Sequence, residues 1–133
     1  MLFESDNWIY NINHFPGKPG QGTRSMIQYE FIEPYAKELH PDEYGMIMKD
    51  NLEPNSNKTM NAVRELVLND DDSFGSGFWL LAKKKTEFHN AKDKLRDGNL
   101  DDFKDYMKNG IGLESYEDIR TPVWNAVNNA IAK

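Results

Sequence analysis

Apolar residues recur at three- and four-residue spacing in one segment after another, and this repeat limits the fold more than any other feature of the chain. Ile27, Phe31, Tyr35 and Leu39 stand four apart with Ile32 and Ala36 beside them, and Met60, Val63, Leu66 and Val67 follow the same period. Phe78, Leu81, Ala82, Lys85, Phe88, Lys92 and Leu95 fall on one stripe. Phe103, Tyr106 and Met107 form a short one, and Val123, Trp124, Val127, Ala130 and Ile131 a strong one. Such spacing puts side chains on one face of an α-helix. The chain is therefore read as mainly α: a compact bundle of about five helices with an extended N-terminal arm and a Gly/Pro-rich loop. Residues 1–133 form one domain on this reading, with arm and loop over 1–24 and the helical body over 25–133. The alternative is α+β, with a small sheet from segments 7–13, 26–32 and 78–83.

Turn and cap residues set the boundaries. Trp8, Tyr10 and Ile12 alternate with Asn7, Ile9 and Asn11, the pattern of a short strand or extended arm. Phe15 to Gly22 holds two prolines and three glycines, which exclude regular structure. Pro34 interrupts the first stripe, so the segment from Ser25 is either a helix kinked near Glu30 or a strand through Ile27, Tyr29 and Phe31 before a short helix opened by Pro34; the kinked helix is preferred. His40-Pro41-Asp42-Glu43 ends it, and Tyr44 to Met48 is a short apolar segment, helical turn or strand. Asn55-Ser56-Asn57 caps a helix over Lys58 to Leu68. Asn69 to Ser73 reads as a stop, with Ser76 capping a long helix that closes at Gly98. A strand over Phe78 to Ala82 competes with that parse. Asn99 caps a further helix with Asp101 and Asp102 in its first turn and Gly110 at its end. Ser115 and Asp118 approximate a capping box, and Thr121-Pro122 restarts a last helix expected to dock firmly on the core.

Composition narrows the chemistry. In 133 residues there is no cysteine, which removes disulfides, thiolate metal sites and cysteine nucleophiles. The N-terminus has no basic leader and no apolar run approaches a membrane span, so the expected compartment is the cytoplasm with no membrane partner. With 22 acidic residues against 16 basic ones, the net charge of −6 opposes non-specific nucleic-acid binding; it suits a basic protein partner, and it is also the ordinary charge that keeps a small domain soluble. The asparagine-rich, cysteine-free, small and acidic character resembles, in composition alone, phage-encoded accessory proteins and bacterial immunity proteins.

Several residues stand out as candidates. Asp70, Asp71 and Asp72 suggest a calcium loop, but Phe74 and Leu81 fall where that motif needs oxygen ligands. His14, His40 and His89 lack metal-ligand spacing, so no metal or cofactor is expected. The loop from His14 to Arg24 sets glycines beside Lys18 and Arg24, the chemistry of an anion cradle, yet Gly17-Lys18 runs into Pro19 rather than Ser or Thr. Lys83 to Lys85 with His89, Lys92, Lys94 and Arg96 make one helix locally basic, though Glu87, Asp93 and Asp97 interleave. Phe74 and Trp79 are read as a half-exposed aromatic pair able to anchor a partner.

The leading expectation is a small acidic, non-enzymatic interaction protein, an inhibitor, immunity-type or regulatory factor. It would bind a protein through Asp70, Asp71, Asp72, Phe74, Trp79, Asp101, Asp102 and Asp105. The alternative is a small enzyme or ligand-binding domain for a phosphate-bearing substrate, with His14 or His40 as acid/base and Lys18 and Arg24 as anion contacts.

Overall fold

The computed structural model describes residues 4–6, 8–12, 17–51, 53–84, 99–110 and 117–132. The protein is mainly helical, and among the described residues there is no strand. In order the helices are α1 (Tyr29–Leu39), α2 (Pro41–Asp50), α3 (Asn57–Glu65), α4 (Asp70–Lys84), α5 (Leu100–Asp105), continued by a π-helical turn at Tyr106–Gly110, and α6 (Glu117–Ile131). The chain divides into two compact units, Met1–Leu80 and Leu81–Lys133.

In the first unit α1 packs on α2 and α3, and α2 on α3. Its core is Ile27, Ile32, Tyr35, Ala36, Val63 and Val67, with Trp79 and Leu80 of α4 against it. Ile32, Val63 and Val67 are fully buried, each contributing about 1.5–3 kcal/mol through removal from water. Local chemistry sets the ends. The Ser56 hydroxyl accepts from the Thr59 N–H at 3.2 Å to open α3, and Pro41 opens α2 at a position whose N–H has no helical partner anyway. His40 joins the two elements: its N–H donates to Ala36 O of α1, and its carbonyl accepts from Tyr44 N of α2.

Several expectations change here. Ser5, Asp6, Trp8 and Ile9 lie in tight turns in place of a strand or extended arm, with Tyr10 N–H donating to Ser5 O at 2.9 Å and Trp8 N–H to the Ser5 hydroxyl. The first helix starts at Tyr29 rather than Ser25, because Ile27 leaves the helical path to bridge Gly22; Pro34 lies inside it. In place of the α+β sheet, the described residues show two isolated bridges, Ile12 with Gly22 and Gly22 with Ile27. Tyr44 to Met48 belongs to a full helix. Asn69 to Ser73 does not end a helix but starts one: Asn69 Oδ1 accepts from Asp72 N–H at 3.0 Å, so Asp70, Asp71 and Asp72 form the first turn of α4, where carboxylates suit the helix dipole. Ser76 is therefore interior, and Phe78 to Ala82 is helix. The proposed continuation of this helix to Gly98 and the Ser115 capping box lie outside the described residues.

The Gly/Pro loop, where described, is packed into the first unit. Gly20 has a left-handed backbone (φ +72°), a side chain there would collide with the Tyr29 ring, and its N–H donates to Asn61 Oδ1 at 2.9 Å. Thr23 is buried and its hydroxyl accepts from the Ser76 hydroxyl at 2.7 Å.

In the second unit α5 and α6 are in contact, and the Phe103 and Trp124 rings lie 6.0 Å apart. Asn99 caps α5 as expected, accepting from Asp101 and Asp102 N–H. The last helix starts at Glu117 rather than at Thr121 and carries Pro122 inside; Val127, Ala130 and Ile131 of its apolar stripe are exposed, while Trp124 meets Phe103.

Candidate functional site

Helix α4 is built inside out. Its residues nearest the core at the N-terminal end are small and polar, Ser73 and Ser76, both fully buried, while Phe74 and Phe78 one turn apart face solvent. The reason is the segment beneath it. Arg24 N–H donates to the Ser73 hydroxyl at 3.0 Å, and Ser76 Oγ donates to Thr23 at 2.7 Å. The first bond gives the Arg24 backbone N–H an acceptor, and the second pairs two hydroxyls that burial would otherwise leave without partners. With serines inward, the four-residue period turns Asp70, Phe74 and Phe78 outward together.

Trp8 extends the aromatic surface. Its ring lies 6.3 Å from that of Phe74 at 60°, and its own backbone is left-handed (φ 65°), a conformation that costs roughly 1–2 kcal/mol for a non-glycine residue. Trp8 is 49% and Phe78 68% exposed. The ridge of Trp8, Phe74 and Phe78 is held from behind by Arg24, whose guanidinium sits 5.4 Å from the Phe74 ring centre, donates to Trp8 O and bridges Asp70 at 3.2 Å. At its edge Asp71 is exposed, the Asp70 side chain is 79% exposed, and Asp6 is exposed in the turn that carries Trp8.

A second cluster lies on the core side of the same helix end. His40 Nε2 is 2.7 Å from Asp72 Oδ2, which also accepts from Asn69 Nδ2, and Tyr35 donates its hydroxyl to Asp72 O at 2.7 Å. Burial, with Asp72 and Glu38 adding negative charge nearby, raises the Tyr35 hydroxyl to about 12. This arrangement fixes the α1–α2 junction against the start of α4, so Asp72 has a structural duty that Asp70 and Asp71 do not share.

The other candidates are scattered. His14 lies outside the described residues, so its proximity to His40 is outside them too. Lys18 is exposed in a turn closed by Gln21 N–H to Lys18 O at 3.1 Å, while the Arg24 guanidinium is engaged by Asp70, Trp8 and Phe74. Phe74 pairs with Trp8 rather than Trp79; Trp79 instead packs against Tyr35, ring centres 5.0 Å apart and planes tilted by 49°, and donates to Glu38 at 3.1 Å. In the second unit Asp101 is exposed, Asp102 accepts from Asn99 Nδ2 at 2.9 Å, and Asp105 is half-buried at the end of α5. The basic run beyond Lys84 lies outside the described residues. Among the described residues, no three His, Asp or Glu side chains converge to hold a metal ion, and no helix is long and apolar enough to cross a membrane. Trp8 and Phe78 are the residues that sequence reasoning missed. The signal was Ser73 and Ser76 at three-residue spacing beside Phe74 and Phe78 at four.

No family model and no solved structure matches the chain. It is similar to a bifunctional dioxygenase (DOX)-epoxy alcohol synthase (EAS) from Fusarium oxysporum, 31% identical over 118 residues. The match covers 86% of this chain and 9% of that enzyme, so the chain spans a small fraction of the length of the curated relative it matches.

Proposed function

We propose that the first unit is a non-enzymatic protein-binding module that docks a basic, apolar-tipped segment of a partner protein on the Trp8–Phe74–Phe78 ridge. The single observation that carries this reading is the inversion of α4, which keeps serines inside and turns two phenylalanines to water. Covering an exposed phenylalanine contributes roughly 1.5–3 kcal/mol, and aromatic anchors of this kind dominate binding energies at interfaces. Asp70, Asp71 and Asp6 at the edge supply the attraction for lysine or arginine on the partner, and the net charge of −6 steers such a partner while repelling phosphate backbones. The phosphate-substrate reading needs Arg24 as an anion contact, a role that competes with its bonds to Asp70 and Trp8.

Similarity to 9% of a bifunctional enzyme supports a separable module of single-domain size; neither activity in that enzyme's name is carried over to this chain. A cysteine-free composition supports a cytoplasmic setting for the module. The test is affinity capture by the tagged full chain from nuclease-treated lysate of its source, with wild type and Phe78→Asp run in parallel. The expected result is one stoichiometric basic protein that wild type retains, that rising salt releases, and that Phe78→Asp fails to hold. Identical retention by both forms, or release by nuclease, would overturn the reading.

A further inference from the structure

Trp8 stands in a conformation that its own chemistry opposes. Its backbone is left-handed (φ 65°), as is that of Asp6 two residues before it (φ 48°), a region that a residue with a side chain enters only at a cost. Burial does not compensate, because Trp8 is 49% exposed. Strained backbone of this kind persists only where its surroundings over-determine it, and such residues gather at ligand clamps. Two contacts hold the backbone of Trp8: its N–H donates to the Ser5 hydroxyl at 2.9 Å, and its carbonyl accepts from the Arg24 guanidinium. The first is local to the turn. The second ties the turn to α4, since the same guanidinium bridges Asp70 at 3.2 Å and lies 5.4 Å from the Phe74 ring centre.

We propose that Arg24 is the positioning residue of the ridge: it holds Trp8 against Phe74 in the conformation that docking needs, and so acts on the partner only through Trp8. This rests on the docking reading of the ridge. Two observations set Arg24 apart from an ordinary stabilising ion pair. Its side chain is 14% exposed while that of its carboxylate partner Asp70 is 79% exposed, and its Nε is buried with no hydrogen-bond partner among the described residues, so the cost of desolvating this charge is poorly offset. Its sign is also wrong for direct contact, because a cation repels the lysine or arginine of a basic partner. Geometry is what remains. A carbonyl, a carboxylate and a ring face around one group call for a planar guanidinium with several donors, which a compact lysine ammonium does not reproduce. Arg24 is fixed in turn by its backbone, whose N–H donates to the buried Ser73 hydroxyl at 3.0 Å.

The direction of the effect separates positioning from charge. A left-handed residue is disfavoured about tenfold against its ordinary conformations, so a turn released by Arg24 keeps Trp8 in place in about one molecule in ten, and affinity falls by the same factor. Arg24→Met and Arg24→Lys of the full chain should therefore both retain about tenfold less of the basic protein from nuclease-treated lysate than wild type does. Charge alone predicts otherwise, with Arg24→Met binding tighter and Arg24→Lys unchanged. Acrylamide quenching of Trp8, taken as the difference between each form and its Trp8→Phe counterpart, reads the position with no partner present. Quenching should rise in both variants, about twofold at most for a residue now 49% exposed, as the turn opens locally. The bond from Arg24 N–H to Ser73 does not depend on the side chain, and an unchanged urea midpoint checks that the fold is kept. Unchanged Trp8 quenching in both variants, Arg24→Lys behaving as wild type, or a loss of capture that tracks a lowered midpoint would overturn the proposal. If wild type itself captures no basic protein, the docking reading falls, and quenching alone then decides whether Arg24 positions Trp8.

Discussion

Two glycines in helices give opposite answers to the same substitution. Replacing a mid-helix glycine by alanine stabilises a helix by about 1 kcal/mol when nothing obstructs the new methyl. Gly45 in α2 meets that condition, since a Cβ there has nothing within 4 Å, and Gly45→Ala should stabilise by roughly 0.5–1 kcal/mol. Gly75 in α4 does not. A Cβ at Gly75 would lie 2.9 Å from the Tyr35 hydroxyl, and the Tyr35 ring cannot swing away cheaply: it is 3% exposed, packed against the Trp79 ring, and bonded to Asp72 O at 2.7 Å. Overpacking of such a site costs about 1–3 kcal/mol and loss of the hydrogen bond about 1 more. Against the gain of about 1 kcal/mol in helix propensity, Gly75→Ala should destabilise by roughly 1–3 kcal/mol. Removing the obstructing atom supplies the internal check. Tyr35→Phe alone should cost about 1 kcal/mol, but combined with Gly75→Ala it relieves the collision, so the double variant should be more stable than the sum of the singles by at least about 1 kcal/mol. Urea denaturation followed by tryptophan fluorescence measures all four forms. If Gly75→Ala stabilises as Gly45→Ala does, or if the double variant is additive, then Tyr35 does not pack under α4 as described.

Two further effects follow from the same helix end and its surroundings. Asn69→Ala removes the cap on Asp72 N–H and the bond to the Asp72 carboxylate, and should cost about 1 kcal/mol in urea denaturation, whereas a loss near zero would mean α4 does not begin at Asp70. Alkaline pH should unfold the first unit: burial raises the Tyr29, Tyr35 and Tyr44 hydroxyls from 10.0 to about 12, with Glu33 reinforcing Tyr29 and Tyr44. Because the folded values lie above the unfolded one, this stability is fully present below pH 10.0 and is lost progressively as pH rises toward about 12. A denaturation free energy that stays flat across that window would contradict the burial of these rings.

The helical class was legible because periodic apolar spacing survives local ambiguity. Ser56 and Asn99 announced their helices through side chains that accept from the N–H groups two or three residues on. The start of α4 was misread because an acidic run looks like a solvated turn until the preceding asparagine is recognised as its cap. Once the helix was begun at Ser76, Phe78 fell on the inward stripe; begun at Asp70, Ser73 and Ser76 take that side. What decides the matter is tertiary, because Thr23 and Arg24 offer hydrogen-bonding partners to the Ser76 and Ser73 hydroxyls, and no spacing within α4 encodes those partners. The Gly/Pro loop was open to two readings for a similar reason. Its glycines suit an anion cradle by type, and only the closeness of Tyr29 to Gly20 and of Arg64 to Gly22 shows that they serve packing.

The account turns on which face of α4 looks outward, and the unfolding free energy of Phe78→Asp tests that most directly. With Phe78 in solvent, the substitution should change stability by no more than about 0.5 kcal/mol, as surface replacements do. A loss of several kcal/mol, the cost of a carboxylate set into a core, would place Phe78 inside and remove the ridge on which partner binding rests.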